Sequence, residues 1–179
     1  MIKVELNEFP SDNDWLEVKK RALVTIGKKA KEAPPEEWKR KIIEARHSPI
    51  RRLFFSFYIE CPYWVSVHLC RHIHAQPYVR SQRNDRQNDY DREKAPQDQP
   101  VCMIWDMNAE ELMVVASKRL CKMASKETQD VVRQMCDLVI SYCPEFKNVL
   151  KPMCEWQNGV CYEFNGGCGR YGRKEMVGI

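Results

Sequence analysis

At 179 residues with 44% hydrophobic side chains, the chain is long enough to bury one core of substantial size. Its 29 basic and 25 acidic residues leave a net charge of +4, a mixed surface that argues against a dedicated nucleic-acid binder and suits a small anionic ligand. No apolar run of membrane-spanning length is present, the first ten residues lack the apolar stretch of a signal peptide, and the nine Cys read as reduced thiols of a cytoplasmic protein, with metal binding open to some of them.

Ser11 to Asp14 supply cap residues ahead of Trp15, and Leu16, Leu23 and Ile26 recur at helical spacing, which predicts a first amphipathic helix fading near Gly27. Pro35 suits a first helical position, and Trp38, Ile42 and Ala45 share one face of a second short helix. Leu53, Phe55, Phe57 and Ile59 alternate with Phe54, Ser56, Tyr58 and Glu60, the period of a strand. Pro62 then opens a helix expected to run to about Ile73, and 76–84 reads as extended. The polar, doubly charged stretch 84–99 reads as a loop. A second strand is expected where Val101, Met103, Trp105 and Met107 alternate with Cys102, Ile104 and Asp106. Asn108 and Glu111 form a variant capping box ahead of a helix whose apolar stripe is Leu112, Ala116 and Met123. Arg119 falls on that stripe, where a guanidinium needs a partner; an internal ion pair or a snorkelling stem would supply one. Val131, Val132, Met135, Leu138, Val139 and Tyr142 mark a further long helix, and Pro144 starts a short piece to about Leu150.

The chemistry concentrates in 71–83, where Arg71 and His72 are followed by Ser81 and Arg83. Guanidinium groups offer planar forks of donors to phosphate, and a Ser hydroxyl can donate to the same oxygens. Read structurally, Arg71 is instead a charge at a helix C-terminus.

This spacing resembles the Arg-His-Arg, seven residues, Ser signature of the flavin-dependent thymidylate synthases. His47-Ser48-Pro49 ahead of Phe55-Ser56-Phe57, Arg92 to Pro96, and Asn108-Ala109 eleven residues before Arg119 are similar to further segments of that family, so the likeness spans roughly 46–150. It implies an α+β fold, a mixed sheet with packed helices, in one domain over 1–150, followed by a Cys/Gly-rich tail over 151–179. It also implies a homotetramer that takes dUMP as substrate, FAD as cofactor, and methylenetetrahydrofolate and NADPH as co-substrates. The product would be dTMP or a close C5-modified nucleotide. Carried over by position, Arg71, Ser81, Arg83, Arg92 and Arg119 would hold the nucleotide, with Ser81 and Arg119 nearest the chemistry. Ser48, Arg71, His72 and Asn108 would contact FAD. The chain departs from the pattern at Ile73 and Glu110, both Arg in the family, and in a short segment between Arg83 and Arg92, so the departures gather in the flavin pocket. A nucleotide-binding protein of this fold that has lost the reaction is the other reading.

Cys154, Cys161 and Cys168 recur every seven residues and are candidate ligands of a structural zinc, though tight Cys-x-x-Cys pairs are missing. The Gly-rich 165–170 lacks the Lys-Ser or Lys-Thr of a phosphate loop.

Overall fold

Alternating apolar residues build the centre of the protein. The computed structural model describes residues 2–86, 90–163 and 166–172. β2 (Phe54–Pro62) and β4 (Pro100–Asn108) lie antiparallel, in register from Phe54 opposite Asn108 to Pro62 opposite Pro100. β1 (Lys3–Glu8) adds to the free side of β2 and β3 (Gln76–Val79) to that of β4, giving a four-stranded antiparallel sheet in the order β1-β2-β4-β3. A period of two sends Phe55, Phe57, Ile59, Met103, Trp105 and Met107 to one face, where all are buried. Phe54, Tyr78 and Ile104 stand exposed on the other. β1 was not anticipated, although Ile2, Val4 and Leu6 alternate with Lys3, Glu5 and Asn7; as an edge strand it buries its apolar side chains only in part.

The helices cover the buried face. α1 (Asp12–Val24) starts at a capping box between Ser11 and Asp14, and α2 (Glu36–Glu44) starts behind Pro35. α3 (Tyr63–Leu69) follows β2 directly. α4 (Ala109–Arg119) follows β4 from an Asn108 cap, and α5 (Lys126–Tyr142) starts from a Ser125 cap and packs against β1, β2 and α4. The fold is therefore α+β, as the resemblance implied.

Two helix ends differ from expectation, and both bear on function. α3 stops at Leu69, with Cys70 as its C-cap, so Arg71 and His72 lie beyond the helix in a turn where the His72 N–H donates to the Leu69 carbonyl (3.1 Å). α4 stops at Arg119, which leaves Met123 outside the helix and 47% exposed rather than on a core stripe. Beyond Leu150, α6 (Met153–Trp156) is a single turn whose Trp156 lies 4.3 Å from the Arg46 guanidinium and 5.1 Å from the Lys151 amine. The candidate loop residue Asn165 and positions 173–179 lie outside the described residues.

Candidate functional site

The end of α3 and the whole length of α4 meet at His72. Arg119, in the last turn of α4, donates from Nε to His72 Nε2 (2.9 Å) and from Nη2 to the His68 carbonyl (2.9 Å), one of the carbonyls left over where α3 ends. Arg119 thus finds neither an internal ion pair nor open solvent; its partners are an imidazole and a backbone oxygen. An Arg has no acceptor, so Nε2 must carry a lone pair and the His72 proton must sit on Nδ1. His72 Nδ1 lies 3.1 Å from Glu111 Oε1, to which it donates. Glu111 is 5% exposed, in the first turn of α4.

The capping box expected at Asn108 and Glu111 is only half formed, and the missing half explains the site. Asn108 Oδ1 accepts the Glu111 backbone N–H (2.9 Å), but the Glu111 carboxylate turns to His72.

Electrostatics at this point are unbalanced. Burial first, then the charges of Arg119 and Arg71, push His72 down to about 4, so the imidazole is neutral near pH 7. Burial and the nearby Arg71 lower Arg119 from its usual value, and burial raises Glu111. Among the described residues, no carboxylate forms a salt bridge with Arg71 or Arg119.

On the other side of Glu111 lies a cleft of about 480 Å³ lined by Arg51, His74, Asn108, Glu110, Glu111 and Val114. Arg51 belongs to the 3-10 turn Ser48–Arg52 and is ion-paired with Glu110. Ser48, exposed at the start of that turn, and Asn108 are thus carried by the two elements that form the cleft. Ile73 is 83% exposed and supplies no charge here.

The remaining candidates sit on the surface beyond β3. Ser81 is exposed and its Oγ accepts the Arg83 backbone N–H (3.3 Å). Asp85 holds the Arg83 guanidinium through Nε (2.9 Å) and Nη2 (2.7 Å). Arg92 is exposed, and its backbone N–H donates to Asn84 Oδ1 (3.2 Å). The fold therefore brings Arg71, His72, Asn108 and Arg119 to one region and leaves Arg83 and Arg92 on the loop.

The zinc expectation is corrected. Cys154, Cys161 and Cys168 line one small cavity with Cys121, but no group of three or more His, Cys, Asp or Glu among the described residues could hold a metal ion. Elsewhere burial raises the thiols of Cys61 to about 11 and of Cys136 and Cys143 to about 12, the state of packing residues rather than nucleophiles.

Residues 84–145 match the family described as thymidylate synthase complementing protein. That match covers 62 of the 179 residues. The matched segment takes in β4, α4 and α5, hence Asn108, Glu111 and Arg119, while Arg71 and His72 lie before it. Solved structures that share the fold include two of one methylase. The UMP/dUMP methylase PolB from Streptomyces cacaoi bound with 5-Br dUMP superposes with a TM-score of 0.65 at 17% identity, over 82% of this chain and 95% of that one. The same methylase bound with 5-Br UMP gives 0.61 at 17% identity, over 81% and 91%. No curated protein matches the sequence.

Proposed function

We propose that this protein binds a deoxyuridine nucleotide and replaces the hydrogen at uracil carbon 5 with a one-carbon group. The observation that carries the reading is the pair Arg71 and Arg119, gathered at neutral His72 with no carboxylate in salt-bridge contact among the described residues. Guanidinium groups that repel each other and lack acids fit an anionic ligand that neutralises them. The family match and the nucleotide-bound methylase of the same fold support the uridine nucleotide as that ligand.

In the finer form of the proposal the one-carbon donor is methylenetetrahydrofolate, and FAD reduced by NADPH supplies, when bound, the hydride that completes a methyl group. The residues fit this cofactor. Asn108 offers an amide in the cleft, Ser48 belongs to the same turn as the cleft residue Arg51, and Arg51 can turn to a phosphate by leaving Glu110. That exchange is cheap, since an exposed ion pair is worth about 0–1 kcal/mol. Arg119, Arg71 and Ser81, with Arg83 once released from Asp85 and Arg92 from its loop, hold the nucleotide and polarise the uracil carbonyls, so that carbon 5 becomes the nucleophile. The high thiol pKa values of Cys61, Cys136 and Cys143 accord with a reaction that needs no enzyme thiol. Because Arg71, Arg83 and Arg92 are exposed, the reading includes a homotetramer whose neighbouring subunits close over them.

The test is release of tritium from carbon-5-labelled dUMP with methylenetetrahydrofolate and reduced FAD. Release above a flavin-only control is expected, surviving Cys→Ser at each position and lost in Arg71→Ala. Arg119→Ala should weaken dUMP binding by about tenfold or more, the equivalent of one charge-assisted hydrogen bond, with little change in melting temperature. Unchanged calorimetric binding with a large fall in melting temperature would make Arg119 a structural residue. Glu110 in the cleft and the exposed Ile73, both at positions where the resembled family has Arg, favour one other outcome: dUMP binding without tritium release, the mark of a protein that has lost the reaction.

A further inference from the structure

We infer that Glu111 is a positioning residue of the nucleotide site: through His72 it fixes which edge of Arg119 faces the ligand. This rests on the nucleotide reading above and adds a residue that neither the Arg-His motif nor the cleft-to-flavin reading assigns.

The argument follows the protons. Glu111 is buried, and its Oε1 sits 3.1 Å from His72 Nδ1, so the carboxylate stabilises the Nδ1–H form of a neutral imidazole. That form presents a lone pair at Nε2, 2.9 Å from Arg119 Nε. The His68 carbonyl takes the neighbouring Nη2 proton at 2.9 Å. Arg119 is therefore held by its Nε–Nη2 side, and three of its five N–H groups, two on Nη1 and one on Nη2, make up the end that remains for a ligand. An anion or a pair of carbonyl oxygens meets Arg119 end-on, by its Nη1–Nη2 fork.

Without an acceptor at Nδ1 the imidazole is free to carry its proton on Nε2. That proton would point at Arg119 Nε–H, donor against donor, and the guanidinium would swing away. A neutral acceptor at position 111 keeps the arrangement, because the relay requires a hydrogen-bond acceptor and not a charge. This separates positioning from electrostatics: Glu111→Gln retains an acceptor, whereas Glu111→Leu does not.

The experiment combines nitrogen-15 NMR of the imidazole rings with calorimetry of dUMP binding, on the full chain at pH 7. Wild-type protein is expected to show His72 as the neutral Nδ1–H tautomer, assigned by loss of the signal in His72→Phe. Glu111→Leu is expected to shift His72 toward Nε2–H and to weaken dUMP binding about tenfold, the cost of one misplaced charge-assisted contact. Glu111→Gln is expected to keep both the tautomer and an affinity near that of the wild type. The inference is overturned if wild-type His72 carries its proton on Nε2, a result that does not depend on any variant folding. It is equally overturned if Glu111→Leu leaves tautomer and affinity unchanged, or if Gln and Leu weaken binding alike. A wild-type protein that does not bind dUMP would remove the nucleotide reading, while the tautomer measurements would still decide the relay.

Discussion

His72 is the residue whose state the whole site depends on, and that state has a pH signature. Its folded-state pKa, about 4, lies below the unfolded value of about 6.5 because burial, Arg119 and Arg71 all oppose a positive charge. Its contribution to stability is therefore present above pH 6.5 and is lost as the pH falls toward 4, since the unfolded chain takes up the proton first. Glu111 works in the opposite sense. Burial raises its pKa, with the His74 charge lowering it in part, so its contribution is present at low pH and lost as the pH rises through its folded-state value. The measured slope is the difference of the two. In urea unfolding between pH 6.5 and 4, His72→Gln should lose less stability on acidification than the wild type. Equal slopes would mean that His72 titrates as an exposed imidazole.

Among the elements, α4 is the one that does two tasks, and Asn108 at its start belongs to both. As the cap it accepts the Glu111 N–H, and as a cleft residue it is available to a ligand. Asn108→Ala should cost about 1 kcal/mol of stability, the usual price of losing an N-cap acceptor. Asn108→Asp should keep the cap and most of the stability, because a negative charge suits a helix N-terminus, with Glu110 and Glu111 nearby offsetting part of that gain. If the cleft takes FAD as proposed, both variants should lose FAD affinity in a fluorescence titration, one by removing the amide and one by adding a third carboxylate to the cleft. If only the alanine variant lost affinity, its effect would come from a frayed helix and not from the amide. The long elements were readable because each has a clean period: β2 and β4 alternate over nine residues, and α5 repeats its apolar stripe over 17. The ends were not. Nothing local tells the chain to leave the helix at Cys70, three residues short of where the apolar pattern runs out; the turn is set by the His72 and Ala75 backbone bonds that redirect it into β3. Glu111 was legible only as a capping residue, since its real partner is 39 residues away and outside any local pattern. Arg119, by contrast, announced itself as a charge on an apolar stripe.

At the scale of the whole molecule, the core and the site are one structure, joined through Trp105. Its side chain is fully buried in the middle of β4, and its ring meets that of His72 edge-on at 6.0 Å and 63°. Its indole N–H finds no hydrogen-bond partner among the described residues. Two costs then compete when it is replaced. Trp105→Ala removes the whole ring from a packed interior and should cost about 3–5 kcal/mol. Trp105→Phe leaves a smaller gap and also removes the unpaired donor, whose burial costs about 1–3 kcal/mol. The two effects are of similar size and opposite sign, so Trp105→Phe should lie within about 1 kcal/mol of the wild type in chemical denaturation. A loss close to that of the alanine variant would mean that the N–H is satisfied in solution. The same substitution should move the His72 ring signals in NMR, because the smaller ring withdraws one wall of the imidazole's site. Unmoved His72 signals would show that Arg119 and Glu111 alone hold the imidazole, and that the core transmits nothing to the proposed nucleotide site through Trp105.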